Sequence, residues 1–581
     1  MEKITSRRIE QFTIPSERLG ATYIEGEGVY IRLWAPKIKE AHIEWVGQAR
    51  APLHKDGDGY FTGYFSDAKP GDTYYFHCDQ SRIPDPASRL QPDGIFGPSE
   101  VVNLDFEWSD QKWKAPSSTK WVIYEIHVGT FSTRHNFQGV IEDLPRLKEL
   151  GITTLEIMPV SQFPGERNWG YDGVFPHAVQ NSYGGPQGLK ELINSAHAQG
   201  IAVILDVVYN HIGPEGNILF SLGPYIQDKY HTPWGEALNY DGNYSDDVRR
   251  YFLQTIWQWL TEYHLDGLRL DAVQTIFDTS PISFLQEVAA LKQEAEKQTG
   301  RELILIAETD MNDPRILDPI DKNGIGFDAH WADDLHHALH TTLTGEKDGY
   351  YEDYGGVEQI AQIYKNGVAF EGDYSPFRKR YHGKSYAHID KKRLVVQSQN
   401  HDQIGNRIFG ERFSTLVDQR KLKLAAACVL LSPFMPLLFM GEEFGCDNPF
   451  LYFVSHSDPE LVKAVREGRK AEWASFNWDH DPPDAASIET FEECVLKDKP
   501  SNEMTSYYKN LIGFSKEFRQ LPLQVEHDEM KRIFLSYGDN IKAVLSFNET
   551  ETALDIKGWD CIFGDISSGM LPPYCATVLK R

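Results

Sequence analysis

Between Trp121 and Gly445, eight apolar runs of strand length alternate with segments of helical spacing. The runs are WVIYEIHV (121–128), TTLEIMPV (153–160), IAVILDVVYNH (201–211), DGLRLDAV (266–273), ELILIAETD (302–310), GFDAHWADD (326–334), RLVVQSQNH (393–401) and PLLFMGEEFG (436–445). The intervening pattern predicts helices at 141–151 and 188–200, each ending on a glycine, and at 246–263, 281–297 and 420–431. A strand that is apolar throughout is buried on both faces, which only a covered parallel sheet provides. Eight such strands with helices between them close into a (β/α)8 TIM barrel, which places its working residues at the C-terminal ends of the strands.

The flanks read differently. GVYIRLWAP (28–36), AHIEWVG (41–47) and DTYYFHC (72–78) alternate apolar and polar positions, as a small antiparallel β-sandwich requires. A stretch rich in Pro and Asp, Ile83 to Ser99, reads as a linker. After a helix near 505–520, RIFLSY (532–537) and IKAVLSF (541–547) predict a small C-terminal β-domain. The expected fold class is thus α/β: residues 1–103 form the sandwich, 104–522 the barrel and 523–581 the C-terminal domain. A length of 581 residues accommodates three such units.

Charge narrows the partners. A formal net charge of -27 repels nucleic acid and anionic lipid, so no nucleic acid and no membrane is expected as a partner. A neutral sugar is not repelled. Cys78, Cys428, Cys446, Cys494, Cys561 and Cys575 form no CxxC pair and no metal-ligand spacing, and read as reduced thiols of a cytoplasmic protein. MEKITSRRIEQF at the start lacks the apolar core of a secretory signal. The longest apolar stretch, Leu424 to Met440, is interrupted by Ser432, Pro433 and Pro436 and is not a membrane span.

Several apolar strands end in a carboxylate, a histidine or both. The third carries Asp206, Asn210 and His211; the fourth Arg269 and Asp271; the fifth Glu308; the seventh Asn400, His401 and Asp402. A charged group on a buried strand is costly unless paired or solvated. Each alone also reads as a helix cap or loop tie, but together at one rim they read as a site. Glycosidic hydrolysis needs two carboxyl groups flanking the bond, one protonated and one ionised. Asp271 leaves the same strand face as Arg269, and a nearby guanidinium favours the ionised form expected of a nucleophile. Glu308 follows the apolar run LILIA, and an apolar setting raises a carboxyl pKa as a general acid requires. Asp402, next to His401, is placed to face substrate hydroxyls and developing positive charge.

DVVYNH (206–211), GLRLDAV (267–273), AETD (307–310) and QNHDQ (399–403) resemble, in this order, the four short motifs of the α-amylase superfamily. The resemblance implies Asp271 as nucleophile, Glu308 as acid/base and Asp402 as transition-state stabiliser. It implies that His211, His401 and Arg269 shape the subsite of the attacked glucose, that Asp206 and Asn210 support it, and that Tyr171 in WGYDGVF stacks on the sugar. IYEIHVGTFS (123–132), MPVSQFPGERNWGYDGVFPHAVQNSYGGPQGL (158–189), HWADDLHHALHTTLTGEKDGYY (330–351) and LLFMGEEFGCDNPFLYFVSH (437–456) are more specifically similar to the malto-oligosyltrehalose trehalohydrolase family. That family resemblance covers nearly the whole chain, including a carbohydrate-binding-like N-terminal sandwich. It implies hydrolysis of the α-1,4 bond next to the terminal trehalose of a malto-oligosaccharide, with a trehalose-forming synthase supplying the substrate. It places substrate contacts in DDLHHA (Asp333, Asp334, His336, His337), RLDAVQ (Gln274) and HDQIGN (Gln403, Asn406).

The chain departs from the family at Gln274, where a DAVH pattern is usual, and at His330, where Gln is expected. Gln274 lies on the expected leaving-group side, away from the catalytic trio. Trp169, Trp331 and Phe450 are candidate sugar-stacking surfaces, with core packing as the competing role. Glu442 and Glu443 are candidate substrate ligands, with loop capping as the competing role. No DxDxDG run is present, and neither a metal nor a cofactor is expected. The competing functions are a branching or debranching enzyme of the same superfamily and a non-catalytic glucan-binding protein. The latter would have lost one of Asp271, Glu308 and Asp402.

Overall fold

The computed structural model describes residues 1–473 and 482–581. Its centre is a closed barrel of eight parallel strands: β1 (Ile123–Ile126), β2 (Thr154–Ile157), β3 (Ala202–Val207), β4 (Gly267–Leu270), β5 (Ile304–Glu308), β6 (Ala329–Trp331), β7 (Leu394–Val396) and β8 (Met435–Phe439). Pairing of β1 with β8, Ile123 opposite Leu437, closes the circle. All eight predicted runs supply a strand.

The period-two alternation of a strand separates the two faces. Tyr124, Ile126, Leu155, Ile157, Val203, Leu205, Leu268 and Leu270 join the core shared with the surrounding helices. Trp121, Ile123, Ala202, Ile204, Ile304, Ile306, Ala329, Trp331, Val395, Met435 and Leu437 form a second core inside the barrel. Each fully buried aliphatic side chain contributes about 1.5–3 kcal/mol. Two residues beyond Ile123, Ile204 and Ile306, on the same inner face, stand Glu125, Asp206 and Glu308. The barrel interior therefore changes from apolar to ionisable at its C-terminal rim.

The helices follow the predictions closely: Gly185–Ala198, Ser245–Thr261, Phe284–Thr299 and Gln419–Leu430. The helix at 284 starts on a Ser283–Gln286 capping box and stops at Gly300, whose φ is +68°. The segment expected as one helix at 141–151 is two, Phe137–Ile141 and Leu144–Leu150. Pro145, with no N–H to donate, fits the first turn of a new helix and not the interior of a longer one. The seventh run is a strand only through Val396; Asn400 caps a short helix, His401–Gly405, by accepting from the Gln403 N–H. His401 and Asp402 thus sit at a helix N-terminus and not on a strand.

Two antiparallel sheets form the N-terminal region, with a core of their own that includes Val29, Ile31, Leu33, Ile43, Phe61 and Phe76. The first residues are not part of them. Glu2–Thr13 is a helix against the barrel helices, with Arg8 paired to Glu287. Its buried face is Thr5, Arg8, Gln11 and Phe12, too polar for apolar periodicity to reveal. The expected linker 83–99 is also corrected. Asp85, Ser88, Arg89, Gln91 and Ser99 in it are buried. Ser99 Oγ donates to Gln91 Oε1, and Asp85 Oδ2 accepts from the Tyr74 hydroxyl at 2.6 Å. Proline and aspartate here build a fixed hydrogen-bonded joint.

At the other end, a five-stranded antiparallel sheet, beginning at Leu523–Asp528, contains Arg532–Tyr537 and Ile541–Ser546 as neighbours. Tyr537 donates its hydroxyl to the Leu431 carbonyl, docking that sheet on the barrel helix. All six cysteines are free. Among the described residues, no helix is long and apolar enough to cross a membrane.

Candidate active site

Asp271 and Glu308 leave adjacent strands at the rim. The Asp271 carboxylate accepts from Arg269 Nη1 at 2.9 Å and from Asn210 Nδ2 at 3.0 Å, which fix both of its oxygens. Glu308 lies on the other side of the same guanidinium, 3.8 Å from Nη2, and accepts from the backbone N–H of Ala272. Ala272 presents that N–H from a left-handed conformation, φ +39°, which a non-glycine residue adopts only under local strain. Asp402 is the most open of the three, with 43% of its side chain exposed, 3.6 Å from His401 Nε2.

A buried network fixes these groups. Arg269 is fully buried; Nη1 also donates to Asp206 Oδ2 at 2.7 Å. Tyr171 donates its hydroxyl to the same Asp206 oxygen at 2.7 Å, and its ring stacks on that of His401 with centroids 5.3 Å apart. His211 is held from both sides, Nδ1 by Asn210 Oδ1 at 2.8 Å and Nε2 by the Tyr171 carbonyl at 2.9 Å. Asn406 Nδ2 lies 3.5 Å from Asp402 Oδ1. Gln403 Nε2 and Gln397 Nε2 both donate to Asp333 Oδ1, at 3.0 and 2.7 Å.

Burial and charge set the protonation states. Burial, opposed by Arg269 and reinforced by Asp271 and Asp402, holds Glu308 well above the ordinary carboxyl value. That favours the protonated form of Glu308, while both oxygens of its neighbour Asp271 are taken up as acceptors. Burial and the nearby Asp402 raise Asp333 to about 7. Burial raises Asp206 to about 6 against the pull of Arg269. Burial disfavours a charged His401, but Asp402 and Glu125 outweigh it and hold the ring at about 9.

The other predicted residues divide. Asp271, Glu308, Asp402, Arg269, Asp206, Asn210, Tyr171, His211, Asn400, His401, Gln403, Asn406 and Asp333 belong to one connected constellation. Asp334 and His336 lie behind it. Asp334 accepts from Asn312 Nδ2, the Tyr354 hydroxyl and the Ala369 N–H; His336 joins the Ser398 carbonyl to the Tyr351 hydroxyl. Neither has a polar atom left for a sugar. His337 is half-buried between the rings of Tyr350 and Tyr354. Gln274 borders a cavity of about 210 Å³ with Thr309, Met311 and Ile316, and its Oε1 is buried without a partner. His330 is buried, holding the Thr309 carbonyl at 2.9 Å.

Trp169, Trp331 and Phe450 are packing residues, not sugar platforms: none is more than 4% exposed. A Cβ at Gly405 would lie 1.9 Å from the Trp169 ring, so glycine there lets that ring seat against the His401 helix. Glu442 and Glu443 are buried struts, the first accepting from Ser398 and Tyr508, the second from Tyr124 and Arg146. Two features escape sequence reading. Trp234, 53% exposed on a hairpin formed by Ile226–Thr232 and Gly235–Leu238, stacks on His211 with centroids 5.0 Å apart. Glu125, in the middle of an apolar run, holds His401 from below. A charge inside the run WVIYEIHV was the available signal for Glu125; nothing local marks Trp234.

Comparison with known proteins places the chain among glycosidases. The family profile described as alpha amylase, catalytic domain, matches residues 109–221. A malto-oligosyltrehalose trehalohydrolase of Saccharolobus solfataricus is 47% identical over 496 residues, 85% of this chain and 86% of that protein. The enzyme of the same name from Arthrobacter ramosus is 40% identical over 523 residues, 86% and 90% of the two chains. A crystal structure of a Salmonella typhimurium protein, described provisionally as an α-amylase, has a TM-score of 0.90 at 36% identity and covers 97% of this chain and 99% of that one.

Proposed function

The chain belongs to the malto-oligosyltrehalose trehalohydrolase family of α-amylase-type glycoside hydrolases, and from that premise we propose that it cleaves the α-1,4-glucosidic bond next to the terminal trehalose of malto-oligosyltrehalose and releases α,α-trehalose. The observation that carries this reading is the shared guanidinium of Arg269. It lies within ion-pair distance of two carboxyl groups, Asp271, whose two oxygens accept from Arg269 and Asn210, and Glu308, which burial holds well above the ordinary carboxyl value.

That pair suits a retaining displacement. Asp271 Oδ attacks the anomeric carbon while the bond from that carbon to the trehalose oxygen breaks. Glu308 gives its proton to the departing oxygen, so trehalose leaves neutral and Glu308 becomes a carboxylate. Glu308 then takes a proton from water as the water oxygen attacks the anomeric carbon and displaces Asp271. Both residues end as they began. Asp402 opposes the positive charge that grows on the sugar ring, and His211, His401, Tyr171 and Arg269 shape the subsite that holds it. Gln274 borders the side on which trehalose departs, and Asp333 is a further substrate contact. The substrate is the product of a trehalose-forming synthase, which we place immediately before this enzyme. The divisions at 103/104 and 522/523 remain the proposed domain limits, with the N-terminal sandwich as a glucan-facing module.

Incubation with maltotriosyltrehalose and with maltopentaose, followed by chromatography, tests the reading. Trehalose and maltotriose from the first, with little change in the second, are expected. New branch points, or equal cleavage of both, would sink it.

A further inference from the structure

Glu125 and Glu156 stand opposite each other in the paired register of β1 and β2. They are 1% and 0% exposed. Glu125 is fully engaged: Oε1 accepts from His401 Nδ1 at 2.5 Å and Oε2 from the His401 backbone N–H at 3.2 Å. Glu156 has no hydrogen-bond partner at either oxygen.

The second nitrogen of His401 fixes the charge of the ring. Nε2 lies 2.7 Å from the Tyr171 hydroxyl. That hydroxyl has one proton, and it also lies 2.7 Å from Asp206 Oδ2, an oxygen paired with Arg269. An ionised carboxylate only accepts, so Tyr171 gives its proton to Asp206 and must accept from Nε2–H. Nδ1 likewise faces a carboxylate and must donate. Two donating nitrogens make an imidazolium.

We propose that Glu125 is a positioning residue that keeps His401 a doubly protonated imidazolium, with Glu156 held beside it as a neutral carboxylic acid. Two neighbouring carboxyl groups in one apolar enclosure do not both ionise, and the one without donors retains its proton. The groups that face His401 come from every wall. They are Glu125 on β1, Asp402 on its own helix, the Tyr171 hydroxyl, and the rings of Trp169 and Trp331 at 5.7 and 5.9 Å. Arg269 and Asp206 act on it as more distant charges, and the His127 ring faces it from the end of β1. Arg269, and His127 when protonated, oppose a positive ring, while a neutral Glu156 adds no charge. The values in the site agree: His401 is held at about 9 and Glu156 is raised well above the ordinary carboxyl range by burial and then by Glu125. A neutral His401 would release either Glu125 or Tyr171, and with it the floor under Asp206 and Arg269.

The inference rests on the glucanase reading only for its rate measurement; the ring titration needs no substrate. Full-length protein labelled with 15N-histidine, with the His401 signals identified by their loss in His401→Asn, reports both ring nitrogens. The wild-type ring is expected to stay doubly protonated up to about pH 9. In Glu125→Gln its titration falls by about two pH units, and kcat at neutral pH falls about tenfold or more while KM changes less than about threefold. Glu156→Gln, an isostere of the neutral acid, leaves the ring titration within about half a pH unit of wild type. A wild-type ring that loses a proton below about pH 7, an unshifted ring in Glu125→Gln, or a drop of about one unit or more in Glu156→Gln overturns the proposal. If Glu125→Gln does not fold, the wild-type and Glu156→Gln titrations decide. Failure of the glucanase reading looks different: no trehalose is released while the ring titration holds.

Discussion

The guanidinium carbon of Arg269 sits 4.1 Å from the centre of the Trp331 ring. Both side chains are buried, and with its carbon over the ring the guanidinium meets Asp206, Asp271 and Glu308 at once. A lysine has one charged centre and cannot hold that plane or serve three carboxyl groups. Arg269→Lys is therefore expected to lower kcat/KM by about a hundredfold or more, the scale of a broken buried ion pair. Kinetics alongside a melting curve check this. Activity close to wild type would show that the hub is not needed.

Asp271→Ala and Glu308→Gln should each lower turnover of the natural substrate by about a thousandfold or more, with the melting temperature little changed. The two are separable by leaving group. An α-maltosyl fluoride needs no proton to depart, so Glu308→Gln should keep much of its glycosyl-transfer step on that substrate and Asp271→Ala should not. Retention of anomeric configuration, followed by NMR in the wild type, is expected. Equal loss in both variants on the fluoride contradicts the division of roles.

The upper pH limit of activity belongs to the protonated acid. Glu308 is held well above its usual value by burial, so the proton it must give persists above the ordinary glutamate range and is lost only as pH rises through that raised value. The alkaline limb of kcat/KM should lie well above pH 4.5 and flatten in Glu308→Gln assayed with the fluoride. An alkaline limb at the ordinary glutamate value would remove the general-acid assignment.

Stability carries its own pH signature, at the opposite end of the barrel. His197 is buried between Asp110, 2.8 Å from Nδ1, and Asp266, 2.9 Å from Nε2. Burial disfavours its charge, but the two carboxylates outweigh that and raise the ring. A histidine whose folded value is raised contributes stability that is complete below its unfolded value of about 6.5 and is lost as pH rises through the folded one. Melting temperature should decline on the alkaline side of neutrality, and His197→Gln should weaken that dependence. A steeper alkaline decline in the variant would contradict the sign.

Trp234 projects from its hairpin onto His211 and remains half exposed. An aromatic ring at the mouth adds binding by stacking and does not touch the reacting carboxyl groups. Trp234→Ala is expected to raise KM about three- to tenfold with kcat nearly unchanged. A loss confined to kcat would place the ring in the chemistry.

Much of this is legible in the sequence. The eight apolar runs carry the barrel because burial on both faces leaves no room for alternation. The rim residues stood out because each breaks such a run with a charge. What stayed hidden has a common cause. The helix Glu2–Thr13 buries polar residues, so it shows no apolar period. The stretch 83–99 has turn composition but a buried position, and composition reports the former only. Trp169, Trp331 and Phe450 look alike in sequence whether they face sugar or core.

Residue identity and period-two spacing determined which side chains enter the barrel and at what height. Asp206, Arg269, Asp271 and Glu308 follow from that alone. Closure of the barrel decided which atoms meet. Glu125 and His401 are 276 residues apart, and Tyr171 and His401 are 230 apart. No local rule relates such positions. Their protonation states come from the enclosed charges on all sides, because in a buried site each proton depends on every neighbour the fold brings within a few ångströms.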